Sequence, residues 1–177
     1  MHPMTRVVAA AMLLLAAACA ELPHAPEAFE FELTGRIAAR YRDEASSGTL
    51  AWRHRAARDD VLLSSPFGQG LARITRDGEA VTLVTGDDKR YSAADAETLT
   101  EAVLGFRLPL RGLADWVRAR AAADAPAQAA YAQDGRLLWL EQHGWRIEYT
   151  SYEGARPKVL KLNYPGLELR LAISEWK

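Results

Sequence analysis

Cysteine is almost absent from this sequence, because Cys19 is the only one among 177 residues. An internal disulfide and a multi-cysteine metal cluster are therefore excluded. Neither sign of charge is in excess: 22 Lys and Arg stand against 23 Asp and Glu, for a formal net charge of −1. That balance argues against binding to nucleic acid, which depends on a basic patch. The apolar share of 49% is too high for a disordered chain and indicates one soluble globular domain.

Residues for covalent catalysis are also scarce. The sequence contains no Gly-x-Ser-x-Gly motif and no glycine-rich phosphate loop. Beyond residue 28 only His54 and His143 remain, and we interpret them as a solvated turn residue and a hydrogen-bonded turn residue. The Asp59-Asp60 pair is expected to lie in a solvated turn. These absences predict a protein that is not an enzyme and that has no metal and no cofactor.

The N-terminus contains an apolar run, Val7 to Ala18, which has no charged residue and follows Arg6. As a helix, these twelve residues would span about 18 Å, too short for a hydrocarbon core of about 30 Å. A basic start, a short apolar stretch and small residues before the cleavage point are typical of a secretory signal peptide. We therefore predict a signal peptide over residues 1–18.

Cys19 follows directly after three alanines. This arrangement resembles the lipobox of bacterial lipoproteins, in which cleavage leaves the cysteine first and acyl chains are attached to it. Those proteins usually have Leu three places before the cysteine, where this chain has Ala16, so a secreted protein without lipid stays the alternative. By the same resemblance, Ala20 in place of Asp favours the outer over the inner membrane. Residues 19–28, which include two prolines, are predicted to form the lipidated N-terminus and a semi-rigid tether.

After the tether, apolar and polar residues mostly alternate, which is typical of half-buried β-strands. Gly35 interrupts the first strand and predicts a bulge. Helical spacing is found only in the middle, over 96–105 and again to about Arg120, and residues 121–133 are predicted to be a linker or a loose helical stretch. The pattern predicts one α+β domain over residues 29–177, with about ten or eleven antiparallel strands and the helices on one face.

Phe67 lies in an unusual turn, Ser65-Pro66-Phe67-Gly68. Proline at the second position and glycine at the fourth suit a type I turn, which places Phe67 at the tip of a hairpin. Hairpin tips are normally polar. The ring therefore either folds back onto the sheet or enters something apolar, and the residues alone leave both possibilities open.

Several segments taken together resemble one family. They are Leu33-Thr-Gly-Arg-Ile-Ala, Trp52 after a Ser-Gly, Ser65-Pro-Phe-Gly-Gln, Tyr91-Ser-Ala-Ala-Asp-Ala-Glu-Thr-Leu, Leu104-Gly-Phe-Arg-Leu-Pro-Leu-Arg-Gly-Leu-Ala-Asp-Trp and Gly144-Trp-Arg-Ile-Glu-Tyr. In this order they are similar to the LolB family of outer-membrane lipoproteins, which receive other lipoproteins from the periplasmic carrier LolA. The Pro-Leu-x-x-Leu-x-x-Trp stretch and the Ser-Pro-x-Gly turn are the most specific of these motifs.

The resemblance implies a curved, open half-barrel whose helices cover a hydrophobic cavity for acyl chains. It also implies that the apolar residue of the turn, here Phe67 where the family commonly has Leu, contacts the membrane and helps to insert cargo. Alternation along the strands and helical spacing predict the cavity-lining residues Ile37, Trp52, Leu63, Leu104, Leu108, Trp116, Trp139, Trp145, Tyr149 and Leu162. The implied partners are LolA, acylated lipoprotein cargo and outer-membrane lipid. We expect a monomer on the periplasmic face of the outer membrane, anchored through Cys19.

Two other functions stay open at this point. A soluble or membrane-tethered acyl-chain carrier of the LolA type would have the same kind of cavity, and its soluble form would lack an acylated N-terminus. A structural lipoprotein of the envelope would have a filled core and would bind no fatty-acid probe.

Overall fold

The structure, a computed structural model, describes residues 28–104 and 107–177. The predicted signal peptide, Cys19 and nearly all of the tether lie outside the described residues. The described strands belong to one sheet. They are β1 (Phe31–Tyr41), β2 (Glu44–Arg55), β3 (Arg58–Ser64), β4 (Gly70–Asp77), β5 (Ala80–Thr85), β6 (Arg90–Ala93), β7 (Gln128–Tyr131), β8 (Leu137–Gln142), β9 (Trp145–Glu153), β10 (Arg156–Tyr164) and β11 (Leu167–Trp176). Helices α1 (Ala96–Leu104) and α2 (Leu110–Trp116) lie between β6 and β7 in the chain.

The first and last strands lie next to each other in the middle of the sheet. The strand order is β6-β5-β4-β3-β2-β1-β11-β10-β9-β8-β7, so two antiparallel meanders are joined by the pairing of β1 with β11. The sheet is open, because β6 and β7 form its two edges. Eleven antiparallel strands in an open sheet, with two helices inserted between its halves, confirm the predicted α+β half-barrel.

Tight turns join the neighbouring strands of each meander. Between β8 and β9, His143 and Gly144 have positive φ angles of 53° and 76°, the combination that a two-residue type I′ hairpin turn requires. Gly78, between β4 and β5, has a φ of 62°. Such turns keep consecutive strands adjacent, so most of the sheet forms from local pairings.

One side of the sheet is apolar and forms the core. On β11, Leu169 and Leu171 are buried while the residue between them is exposed. The register extends this apolar side across the sheet, since Leu171 pairs with Ile37 on β1 and with Leu160 on β10, and Leu160 pairs with Tyr149 on β9. We call this apolar side the inner face and the opposite, mainly polar side the outer face.

The bulge predicted at Gly35 is confirmed. The register between β1 and β11 shifts between Thr34 and Gly35. A Cβ atom on Gly35 would lie 2.5 Å from the carbonyl oxygen of Ala172, closer than any side chain tolerates. Glycine is therefore required because the backbones of the two central strands approach each other closely at this point.

The middle of the chain differs from the prediction in two ways. Residues 128–131 form strand β7 and pair with β8, although the stretch 121–133 was predicted to be a linker. Its sequence, Gln-Ala-Ala-Tyr, has too few large apolar residues to show alternation. The second helix ends at Trp116 rather than near Arg120, because the chain turns and Ala119 takes a left-handed φ of 56°.

Within the described residues, neither helix is long and apolar enough to cross a membrane.

Candidate functional site

The predicted cavity residues mostly meet in one apolar cluster between the sheet and the helices. Trp52, Trp116, Trp145, Tyr149 and Leu162 are buried in it, and Ile37, Leu63 and Leu108 are half-buried against it. The side chain of Leu104, at the end of α1, lies outside the described residues. Only Trp139 is placed elsewhere.

Trp139 lies on the outer face, so the prediction that it lines the cavity is wrong. It pairs with Glu148, and the guanidinium of Arg146 lies 4.5 Å from its ring centroid. The cause is a run of four apolar residues, 137–140, which fits either of two alternating patterns. The structure takes the pattern in which Leu140 is buried on the inner face, and the ring of Trp139 instead lies under the guanidinium of Arg146 on the outer face.

The inner face has a closed part and a partly open part. Trp116, Ile147 and Leu160 have 0% of their surface exposed, so side chains fill the space around α2 in this conformation. Ile37 on β1 and Leu63 on β3 also face inward but are only half-buried. An apolar guest can therefore contact the half-buried part directly, whereas the closed part admits one only if the helices move.

Helix α2 is fastened to the sheet by two hydrogen bonds at its last residue. The indole Nε1 of Trp116 donates to Oε1 of Gln142 on β8 at 2.8 Å. The backbone carbonyl of Trp116 accepts a bond from the hydroxyl of Tyr149 on β9, also at 2.8 Å. Burial raises the pKa of Tyr149 far above its ordinary value, so the phenol stays a donor. The end of α2 is therefore fixed in position against β8 and β9.

Gln142 is the buried residue that organises the chain after α2. Besides the bond from Trp116, its Oε1 accepts the backbone N–H of Ala122 at 2.9 Å. Its Nε2 donates to the carbonyls of Ala122 and Ala125 at 2.8 and 2.7 Å. A glutamine buried on an apolar face needs such partners for each of its polar groups. Gln142 was not among the predicted site residues, although its position two places after the inward-facing Leu140 places it on the inner face.

Helix α1 is capped at its N-terminus and packs against the sheet through the buried residues Ala96 and Leu99. The carboxylate of Asp95 accepts the backbone N–H of Thr98 at 2.7 Å, an N-cap bond that lowers the pKa of Asp95. The buried hydroxyl of Thr100 donates to the carbonyl of Ala96 and accepts the N–H of Leu108, both at 2.8 Å. The second bond ties the connection between the helices to α1.

Phe67 projects from the turn between β3 and β4. The N–H of Gly68 donates to the carbonyl of Ser65 at 2.9 Å and closes the turn, and Ser65 Oγ accepts the N–H groups of Phe67 and Gln69. Gly68 has a φ of 86°, which glycine adopts without strain. The side chain of Phe67 is 94% exposed. The ring therefore does not fold back onto the sheet, and a rigid turn presents it to the surroundings.

A buried polar cluster near one end of the inner face escaped the sequence analysis. One carboxylate oxygen of Asp59 lies 2.7 Å from Nδ1 of His54 and accepts the indole N–H of Trp52 at 2.8 Å, and the other accepts Nε of Arg76 at 2.6 Å. Burial raises the pKa of Asp59, but the bonds to His54 and Trp52 and the charge of Arg76 outweigh it, so the pKa lies below its ordinary value.

This cluster corrects the interpretation of His54 and Asp59 as solvated turn residues. Both are buried, on the paired strands β2 and β3, where they face each other in the register. The available signal was the alternation of β2, in which Leu50, Trp52 and His54 fall on the same face. The arginines on either side of His54 pointed the other way, because two charges next to a histidine suggest an exposed position.

A second ion pair joins the segment after α2 to the start of β1. Nη1 of Arg118 donates to Oε2 of Glu30 at 2.7 Å, and the guanidinium carbon of Arg118 lies 5.3 Å from the ring centroid of Phe31. The hydrogen bond from Arg118 lowers the pKa of Glu30. Arg118 Nε also donates to the carbonyl of Ala114 at the end of α2. The C-terminal side of α2 is thus attached to both halves of the sheet.

These features define the class of helix-covered, open antiparallel β-half-barrels, here with a protruding aromatic turn. Within that class, the family model described as "Outer membrane lipoprotein LolB" matches residues 29–176. The chain therefore belongs to the LolB family.

Relatives of this chain agree with that assignment. It is 41% identical over 153 residues to the outer-membrane lipoprotein LolB of Thiobacillus denitrificans, covering 86% of this chain and 82% of the relative. It is 37% identical to the LolB of Nitrosomonas europaea, over 83% of this chain and 72% of that relative. It is 39% identical to the LolB of Pseudomonas fluorescens, over 82% of this chain and 73% of that relative. A solved LolA superfamily protein from Nitrosomonas europaea is similar at a TM-score of 0.47 and 11% identity, over 86% of this chain and 87% of that one.

Proposed function

We propose that this protein receives acylated lipoproteins from a periplasmic carrier of the LolA kind and inserts them into the outer membrane, without covalent chemistry of its own. The observation that supports this most directly is the exposed ring of Phe67, at 94%, on a rigid turn of a LolB-family half-barrel. A large aromatic side chain in water is unfavourable, and its exposure on a well-ordered turn is explained if the ring enters a bilayer.

The energetics favour direct transfer between apolar sites. Exposing an acyl chain of about 15 methylenes to water costs roughly 12 kcal/mol, at about 0.8 kcal/mol for each methylene. Cargo must therefore pass from the carrier to this protein and then to the bilayer without crossing water. Each exchange replaces one apolar environment by another, so a tenfold preference at a step needs only about 1.4 kcal/mol. A gradient of affinities is sufficient to drive the sequence of steps.

The inner face is the proposed acyl-chain site. Ile37, Leu63 and Leu108 receive the chain first, because they are half-buried members of the apolar cluster. Trp145 and Leu162 line the deeper part, which opens when the helices move. The protein acts as a monomer, and acyl chains on Cys19 hold it on the periplasmic face of the outer membrane.

The substitution Phe67→Glu tests the insertion step. Burying a phenylalanine ring contributes about 1.5–3 kcal/mol, so its loss should lower delivery of an acylated lipoprotein to liposomes by roughly tenfold or more. Folding and acceptance of cargo from the carrier should not change, because the ring is almost fully exposed. Delivery is measured as transfer of a labelled lipoprotein from its complex with this protein to sedimented vesicles.

Tyr131→Glu is the matched control, since Tyr131 is another exposed aromatic residue, at 64%, and lies on the edge strand β7. It should deliver cargo like the wild type. Wild-type delivery by Phe67→Glu would refute the role of the ring in insertion. Loss of acceptance from the carrier, with normal delivery afterwards, would place Phe67 at the earlier step.

A further inference from the structure

The outer face of the sheet has a broad groove that the proposed function does not use. The groove has a volume of about 660 Å³ and crosses β2, β1, β11, β10 and β9. Its floor consists of small side chains, among them Ala38, Ala45 and Ser47. Small residues in the middle of a sheet leave room for a ligand to approach the backbone, and this floor is outside the apolar core.

Three exposed cations surround this floor: Arg40, Lys161 and Arg170. Arg170 and Lys161 are neighbours in the register of β11 and β10. None of the three forms an ion pair with a residue that the structure describes. Two carboxylates also line the groove, but Glu148 is bound by Arg146 at 3.3 Å. The remaining carboxylate, Glu168, is outnumbered by the three cations, so the groove suits an anionic ligand.

The groove continues towards the Phe67 turn. Ser64, the last residue of β3 before the turn, pairs with Thr49 on β2. Ser47, which lies two residues before Thr49 on β2, lines the groove. Leu62, which is 42% exposed, faces the same outer side beside this turn. When Phe67 enters a bilayer, this part of the outer face therefore comes close to the lipid headgroups.

We propose that the outer-face groove binds the headgroups of anionic phospholipids through Arg40, Lys161 and Arg170 while Phe67 is inserted. An apolar side chain in the hydrocarbon with cations at the level of the phosphates is the arrangement that stabilises proteins at a membrane surface. Two separate contacts, one apolar and one ionic, also define an orientation, so the partly open inner face is held at a fixed angle to the membrane. The inference rests on the proposed insertion of Phe67.

Vesicle partitioning of charge variants tests the proposal. The mature chain is used with Cys19→Ala, since an acyl anchor would hold every variant on the vesicles. The combined substitution Arg40→Gln, Lys161→Gln and Arg170→Gln should weaken partitioning to vesicles of phosphatidylcholine with phosphatidylglycerol by at least about tenfold at low salt. Partitioning to pure phosphatidylcholine should not change.

Raising the salt should remove most of the difference between the groove variant and the wild type, because exposed charges are screened. The single variant Lys161→Gln should show a smaller loss of about fivefold.

The control removes three other exposed cations, through Arg58→Gln, Arg136→Gln and Lys158→Gln, and should partition like the wild type. If the groove variant binds anionic vesicles as tightly as the wild type, or no more weakly than this control, the proposal is wrong. It is also wrong if the groove variant loses only its binding to the carrier, because the groove would then recognise a protein. Normal delivery by Phe67→Glu would refute the insertion role, whereas wild-type anionic binding by the groove variant would refute the headgroup site alone, so the two failures are distinguishable.

Discussion

Asp59 and Phe67 each occupy the environment that their residue type usually avoids. The carboxylate of Asp59 is buried with a histidine, an arginine and an indole N–H around it, whereas the ring of Phe67 is 94% exposed. A buried charge is tolerated only when it is paired and hydrogen-bonded, as Asp59 is. The ring of Phe67 is not buried by any of the described residues, and its exposure is explained by contact with an apolar partner such as a bilayer.

The lowered pKa of Asp59 predicts how stability depends on pH. Because the pKa is lower in the folded protein than its ordinary value of 3.8, the ionised carboxylate stabilises the fold above about pH 3.8, and that contribution is lost as the pH falls through the lowered pKa. Asp59→Asn should lower the free energy of unfolding by about 3–5 kcal/mol near pH 7, since Arg76 then stays buried without its counter-ion. The difference from the wild type should shrink below pH 3.8. Urea unfolding at a series of pH values measures both effects.

Asp77→Asn is the control for this titration, because Asp77 is exposed and its pair with Arg58 is a surface pair. Its effect on the free energy of unfolding should be below about 1 kcal/mol. An Asp59→Asn protein as stable as the wild type at neutral pH would contradict the structural role of the cluster.

The sequence predicts the environment of a residue well where one pattern applies to it, and poorly where two patterns point to opposite faces of a strand. Gly35 predicts a bulge or bend because a glycine inside a long strand often marks one, and the register shift at this residue agrees. His54 was misinterpreted because the charge of its neighbours was given more weight than the alternation of β2. Trp139 was misplaced because a continuous apolar run does not specify which face is buried. Both errors concern the side of a strand, which only pairing with other strands decides.

At the scale of elements, the bulge at the β1–β11 junction determines how the two meanders meet. Gly35→Ala should lower the free energy of unfolding by about 1–3 kcal/mol, because the added Cβ would lie 2.5 Å from the carbonyl oxygen of Ala172. Gly70→Ala is the matched control, since a Cβ there meets no atom within 4 Å. It should change the free energy of unfolding by less than about 0.5 kcal/mol. Equal effects of the two substitutions in urea unfolding would show that close approach at Gly35 is not limiting.

The two helices differ in how they are attached, and this was not predictable from their sequences. Both were expected from helical spacing, and α1 (Ala96–Leu104) matches its predicted range. The bonds from Trp116 to Gln142 and from Tyr149 to Trp116 depend on residues far apart in the chain. Strand β7 was missed for a similar reason, since its short sequence is a strand only because β8 pairs with it. Local pattern predicts an element, but its attachment follows from tertiary contacts.

At the scale of the whole molecule, the proposed acylation of Cys19 predicts where the protein resides. Cys19→Ser removes the thiol that would be acylated, so the protein should move from the membrane fraction to the soluble periplasmic fraction. One acyl chain alone gives only weak, reversible binding, and stable anchoring needs a second chain or another contact. Fractionation and mass spectrometry of the mature N-terminus measure the outcome. An unmodified N-terminus in the wild-type protein would favour the soluble carrier instead.

The architecture of the whole molecule was more predictable than its details. Alternation of apolar residues, turn glycines and two helical stretches predict an antiparallel α+β sheet of about ten or eleven strands with helices on one face, and the resemblance to the LolB family adds that the sheet forms an open half-barrel; the structure has eleven described strands in one open sheet. The sequence patterns could not show that the space around Trp116 is filled in this conformation, because alternation says which residues face inward and not how closely they pack.

The pairing of the first strand with the last has a consequence for the order of assembly. Strands β1 and β11 are neighbours, and Lys177 exchanges backbone hydrogen bonds with Glu32 at 2.8 and 3.1 Å. As the chain is synthesised, each meander can form its hairpins early, but the seam between them waits for β11 (Leu167–Trp176). Removal of the last residues of β11 should therefore lower stability more than removal of an equal number of residues from a surface loop. Until that seam forms, the polypeptide is two unfinished halves with exposed apolar sides, a state that is prone to aggregation and proteolysis.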